Sequence, residues 1–555
     1  MRWRPILQLN VSISKETDKF SQLCREIKQC LMKKLLIIPF FLLLAAACEK
    51  SGLGPDASRQ PEGEIYHDMI QLGEKLEDPY TVANMQEALT KVYPTKAGRM
   101  EISATDYYVR FLPKDDEQLK SLQAQGLYLM DHPMDYSIRR EGDYYQDPSV
   151  GENAITWQYA VVPTDFAFPQ GVKHEILDEC FLSDHLPESK AVDGVDWERV
   201  EEEAFRLTGN EDLWQPSALT KGGSGRPEGR ITIEDPKFNG GTPIGVSGVM
   251  VACNIFVKIG TTYTDRDGYY KMNKSFSGSP RYRLVFKNEK GFNIGLNLIL
   301  IPASVSTLGK GSPEGIDYLV KEDDGALFRR CAVNNAAYDY YTRCTRDDLD
   351  ILPPPGDLRI WILNGLRWST ATMLHHGAYL EDSIIKDYLG FYLGLVELFL
   401  PDITIGSKEK DYSGIYKEAM HELAHASHYA KVGNSFWAPY IKYTVLSLLL
   451  EGWQPYGSGG KEDAGYCEIG EMWAFFMQES LYKDHYGGTI TAFGNKYWFQ
   501  PDIFTYLYER GMSRSQIFRC LTSEVTAVDD LKEELIGQYS SQEKVIEQAF
   551  RYFGK

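Results

Sequence analysis

No Cys-x-x-Cys pair occurs anywhere in the 555 residues, so the sequence offers no thiolate zinc site. Positive charge is scarce: 59 Lys and Arg stand against 78 Asp and Glu, a net charge of −19. A chain that acidic repels phosphate backbones, which argues against a nucleic-acid partner. Low-complexity tracts and internal repeats are absent, so neither a disordered polymer nor a solenoid fits. What is present is the composition of a folded protein, 43% hydrophobic and 13% aromatic, long enough for about three domains.

Residues 32–48 read MKKLLIIPFFLLLAAAC. Two lysines lead an apolar run that is too short to span a membrane comfortably, and small residues and Cys48 follow. That is the pattern of an export signal. It resembles a bacterial lipoprotein signal, with Leu44-Ala45-Ala46-Ala47-Cys48 as the lipobox. The resemblance implies cleavage before Cys48, a lipid on that cysteine, and a place in the cell envelope. Met32 then reads as the start, and residues 1–48 are upstream stretch and signal. Residues 49–63 are rich in Gly, Pro, Ser and acidic side chains and read as a tether. An exported chain can form disulfides. Of the six remaining cysteines, Cys331 and Cys344 lie closest together and are the expected pair, although spacing alone does not establish it.

The expected fold class is multidomain α+β: a small N-terminal α/β module, a β-sandwich middle domain and a mostly helical C-terminal domain. Within residues 64–216, 66–92 read as helical. Thr105–Pro113 alternates like a strand, Lys114–Gln125 reads as a helix, and Gly126–Met130 as a second strand. Residues 192–215 read as charged helix, and 217–228 as a linker. Residues 229–297 change to short β-rich runs with turn signals. Gly229-Arg-Ile231, Gly248-Val-Met-Val251 and the Thr264-Asp265…Gly268…Tyr270 turn resemble a carboxypeptidase regulatory-like domain, a transthyretin-like sandwich. Asp265 and Asp267 supply too few oxygens for calcium and instead shape a tight turn.

The chemistry lies in residues 298–555. His421-Glu422-Leu423-Ala424-His425 is an HExxH motif within a helical run, 411–430. Residues four apart share a helix face, so both imidazoles can aim at one metal ion with Glu422 beside them. Ser413 is the expected start cap, Gly433 or Asn434 the stop. Two ligands leave a catalytic zinc site one short. The metzincin extension fails, because His428 and Lys431 occupy its glycine and histidine positions. His428 reads as an outer or solvated histidine. The helical run Gly465–Tyr482 offers Glu471, with Glu468 one turn earlier as the alternative ligand.

Two histidines plus a downstream glutamate followed three residues later by a small residue, Ala474, resemble the gluzincin zinc metallopeptidases, the thermolysin-like arrangement. The resemblance implies Zn²⁺ on His421, His425 and Glu471, Glu422 as general base, a polypeptide substrate, and a zincin-like fold over 298–555. It also implies that the strand before the site helix, Asp402–Ile405, is an edge strand that pairs with substrate. A donor to the oxyanion is expected among His485, Tyr486, Tyr497 and Tyr506. The other readings are a binding or adhesion lipoprotein with an inactive zincin-like domain, and a zinc hydrolase acting on a non-peptide amide or ester.

Overall fold

The computed structural model describes residues 69–555 apart from 96–99, 143, 152–153, 187–193, 215–223, 296–302, 347–348, 379–400 and 451–455. The signal, Cys48, the tether, most of the 217–228 linker and the apolar stretch 387–400 lie outside the described residues. The chain is mixed α/β, strand-rich in the middle and helical towards its C-terminus. Among the described residues, no helix is long and apolar enough to cross a membrane.

The N-terminal part holds β1 (Gln71–Lys75), α1 (Val82–Val92), β2 (Asp106–Leu112), α2 (Asp116–Ala124), β3 (Tyr136–Arg140), β4 (Gln158–Pro163), β5 (Lys173–Cys180) and α3 (Trp197–Leu207). The helix expected over 66–92 is only its second half. Pro79 disfavours helix at the residue before it, and the preceding run pairs as β1 with β3, Leu72 opposite Ile138. Gly126–Met130 is not a strand either. Only Met130 makes a bridge, to Tyr159. The sheet is antiparallel, in the order β4-β2-β5, so the expected β-α-β order does not form.

The middle contributes β6 (Glu228–Ile233), β7 (Val249–Ile255), β8 (Lys258–Tyr263), β9 (Tyr269–Lys271), β10 (Arg281–Asn288), β11 (Asn293–Ile294), β12 (Val305–Lys310) and β13 (Tyr318–Val320). All but one residue of β7 are buried, so it reads as an apolar run broken only by the buried Asn254 rather than as an alternation. The turn before β9 is tight, as expected, but it is not a hairpin: β8 pairs with β7, whereas β9 pairs with β6 in another sheet. Asp265 Oδ1 accepts from Asp267 N and Tyr269 N, each at 2.9 Å. Gly268 has φ +75°, and a Cβ there would lie 2.1 Å from Ile231 O, so only glycine fits.

Next come α4 (Ala326–Cys344), β14 (Arg359–Leu363), β15 (Thr370–Ala371) and β16 (Ile403–Gly406). One eight-stranded sheet has the order β8-β7-β10-β11-β14-β16-β15, with β12 on β10. It passes through the boundary expected at 297/298. β16 is not an edge strand: it pairs with β14 on one side and β15 on the other. Its backbone groups are already bonded, so the expected pairing with substrate there is lost. The six described cysteines are free and buried. Cys331 and Cys344 sit on one helix, α4. Thirteen residues at 1.5 Å rise put them about 20 Å apart, far beyond disulfide reach.

Candidate metal centre

Helix α5 (Tyr412–Val432) follows β16, and α6 (Asn434–Leu450) and α7 (Ala464–Tyr486) pack around it. Its start cap is Asp411 rather than Ser413. Asp411 Oδ1 accepts from Gly414 N at 2.8 Å, while Ser413 Oγ spends itself on the same carboxylate. Gly433, at φ +68°, ends it. Tyr416, Met420, Leu423 and Ala424 are buried as expected, but so are His421, Glu422, His425 and His428. Burying that many polar groups on one helix costs free energy unless they have a task.

Two of those side chains, His421 and His425, converge with Glu471 of α7. His421 Nε2 and His425 Nε2 stand 3.2 Å apart. Glu471 Oε2 lies 3.4 Å from His421 Nε2, and Oε1 lies 3.5 Å from His425 Nε2. His421, His425 and Glu471 therefore form a buried group that can bind a metal ion. Burial opposes the charge of Glu471. His425 and then His421 outweigh that penalty and hold its carboxyl well below the usual range. Burial lowers the pKa of His425, which favours the neutral imidazole a metal requires. Gly470 keeps the wall thin: a Cβ there would lie 3.4 Å from Tyr440 Cε2 and 3.9 Å from His425 Cε1.

Glu422 is fully buried, and neither of its oxygens has a hydrogen-bond partner. Burial first, then the neighbouring Glu418 and Glu471, push its pKa well above the ordinary value. That favours the neutral carboxyl, whereas a general base needs the ionised form, which a cation at the neighbouring His421–His425–Glu471 group would favour.

The alternative ligand, Glu468, is elsewhere. Its Oε1 meets Lys555 Nζ at 2.6 Å, on a different line of α7 from Glu471. None of the four expected oxyanion donors belongs to the His421–His425–Glu471 group. His485 is stacked between Phe238 and Tyr416, with centroids at 4.3 and 4.4 Å. The Tyr486 hydroxyl donates to Asp235 Oδ2 at 2.8 Å. Tyr506 packs on Arg510 and Tyr552. Tyr497 stacks on Phe475, which in turn meets the His421 ring at 4.5 Å, so it stands one ring removed. His428 is not solvated. It packs on Phe436, and burial, with His425 and Lys431, pushes its pKa down to about 3.

Sequence reasoning missed Tyr440. Its hydroxyl donates to Glu471 Oε1 at 2.7 Å, and both residues are buried. Nothing distinguishes Tyr440 among thirty-five tyrosines, but one signal existed. Gly433 stops α5, and the apolar run that begins at Phe436 has to fold back along the metal-holding helix. No family model, curated protein or solved structure matches the chain.

Proposed function

We propose that the chain is an exported zinc metallopeptidase of the gluzincin kind, lipid-anchored through Cys48 in a bacterial cell envelope, that hydrolyses polypeptides. The observation that carries this reading is the convergence of two imidazoles and one carboxylate beside a buried, unpartnered glutamate. Donors about 2.0–2.1 Å from one tetrahedral ion stand about 3.3 Å apart. The separations of 3.2, 3.4 and 3.5 Å match that spacing. A nitrogen-and-carboxylate set suits zinc, and three protein ligands leave a position open for chemistry.

A zinc ion held there supplies Lewis acidity, lowering the pKa of water towards neutrality and polarising a carbonyl. Glu422 takes the proton from the attacking water on its carboxylate and returns it to the leaving amine. Tyr440 holds Glu471 Oε1, fixing how that carboxylate faces the two histidines. Of the 229–297 strands, β7, β8, β10 and β11 share one sheet with β14 and β16, so a regulatory-like sandwich there is continuous with the enzyme part rather than a spacer beside it.

The test is metal analysis together with a casein or peptide-library digest. One zinc per chain is expected, with cleavage that a chelator and Glu422→Gln each abolish. The second reading, a binding lipoprotein without turnover, draws on the near-complete burial of all four groups. It predicts zinc retained and no peptide cut.

A further inference from the structure

A cavity of about 120 Å³ lies between the N-terminal part and the face of the large sheet made by β7, β10 and β12. The Gly126–Met130 run forms one wall. The opposite wall is sheet. Arg283 and Val285 of β10 alternate with residues of the other face, pairing with Ala252 and Met250 of β7, and Val285 packs with Ala252, Ala303, Tyr128 and Met250. The cavity is therefore apolar over most of its surface, with the charged side chains of Asp131, Glu141, Arg283 and Lys287 set into it.

Of these four, the buried one is Arg283, 5% exposed and lining the cavity at mid-strand. Its Nη1 donates to Asn254 Oδ1, a neutral acceptor. Among the described residues no carboxylate comes within ion-pair distance of it. Asp131 also lines the cavity, but its oxygens are held by His132 Nδ1 at 2.7 Å and by Tyr145 N. Glu141 is paired with Arg281. Lys287 adds a second positive charge to the lining. Tyr128 lines the same space, and its hydroxyl makes no hydrogen bond among the described residues. A buried guanidinium is expensive unless an anion meets it, and a planar carboxylate is the anion whose shape it matches.

We propose that this cavity is a binding site for a small carboxylate with an apolar body, its carboxylate on Arg283 and Tyr128 and its body against Val285 and Met250. The size fits. A cavity of about 150 Å³ accommodates benzene, so this one takes a ligand of about four to six heavy atoms, a short-chain organic acid. The site shares no residue with the metal-holding group and does not depend on the peptidase reading.

The experiment is calorimetric titration and thermal unfolding of the exported chain with butyrate, butyramide, alanine and inorganic phosphate. Butyrate is expected to bind and raise the unfolding temperature, with butyramide and phosphate at least about tenfold weaker. Arg283→Met should cost butyrate about tenfold or more while leaving the metal content unchanged, and Arg283→Lys should recover part of the loss. If Arg283→Met does not fold, Tyr128→Phe and the butyrate–butyramide pair on the unaltered chain carry the test. Alanine binding more tightly than butyrate would assign the site to free amino acids, within the same carboxylate chemistry. Equal affinity for butyrate and butyramide, tighter binding of phosphate, or no butyrate binding at millimolar concentration would overturn the proposal.

Discussion

Replacing Tyr440 with phenylalanine removes one oxygen and leaves the ring. The ring contacts to Trp437 at 4.7 Å and His425 at 5.7 Å stay. What is lost is the 2.7 Å donation to Glu471 Oε1. A hydrogen bond to a charged group is worth about 1.5–3 kcal/mol, which converts to about ten- to hundredfold in an equilibrium constant. Outer partners of metal ligands fall in the same range when mutated. The bond also exists without metal, so only the part that the loaded site uses more strongly appears in affinity. The lower end, about tenfold, is therefore the expectation. The assay is competition against a chromophoric chelator at fixed pH, with thermal unfolding of the metal-free chain run in parallel. Tyr443→Phe is the control. Its hydroxyl donates to Tyr456 O at 2.9 Å and accepts from Gly459 N at 3.1 Å, away from the ligands. It should lose about 1 kcal/mol of stability and no metal affinity. If Tyr440→Phe holds zinc within about twofold of the unaltered chain, the idea that this hydroxyl orients Glu471 is refuted.

Glu422→Gln should keep metal affinity within a fewfold and lower turnover by about 10²–10⁴-fold, as removal of a general base does, measured on a single fluorogenic peptide. Lys258 and Glu201 form a buried ion pair at 3.1 Å, with side chains 5% and 4% exposed. Lys258→Met strands the carboxylate and should cost about 3–5 kcal/mol in a denaturant titration. Asp78 is buried, and burial pushes its pKa up to about 7; Oδ1 accepts from Tyr80 N while Oδ2 has no partner. Its folded pKa exceeds its unfolded one, so the folded state binds more protons between about pH 4 and pH 7. The stability of its neutral form is complete below about pH 4 and is lost as pH rises through about 7. Asp78→Asn should flatten that decline by about 2–3 kcal/mol, read as the difference in unfolding free energy between about pH 5 and pH 8.

What the sequence revealed about the site depended on separation along the chain. His421 and His425 are one helical turn apart, so their common aim follows from helix geometry alone. The choice between Glu471 and Glu468 does not, because both lie on α7 and only its rotation against α5 decides which one faces the histidines. The family resemblance favoured Glu471, and the coordinates bring it there while Glu468 goes to Lys555. The oxyanion donors were expected at the end of α7 and beyond it, where stacking and hydrogen bonds already occupy them, whereas the tyrosine that touches Glu471 lies on α6. Caps and turns were more legible. The Asp265 turn formed as expected, and the start of α5 was misplaced by two residues because Asp411 and Ser413 are both competent caps.

Strand order was the least legible feature, because pairing over long separations leaves no local mark. β11 and β14 meet across more than sixty residues, and β6 and β13 across more than eighty. Those pairings bear on how the metal-holding helix is supported. α5 leaves from β16, β16 is held by β14, and β14 is held by β11. Asp402, at the foot of β16, accepts from Arg359 N at 3.0 Å and from His376 N and Nδ1 at 3.1 and 2.9 Å. A fragment cut at 298 would lose β11 from β14, and would leave β12 without β10 and β13 without β6. Each exposed edge would present unpaired N–H and C=O groups. Residues 298–555 expressed alone should therefore fail to give a cooperative unfolding transition or to hold one metal ion, whereas the chain from 69 onward should do both. A fragment from 298 that binds zinc stoichiometrically and melts sharply would show that the strands before it are a separable domain and that the site needs no support from them.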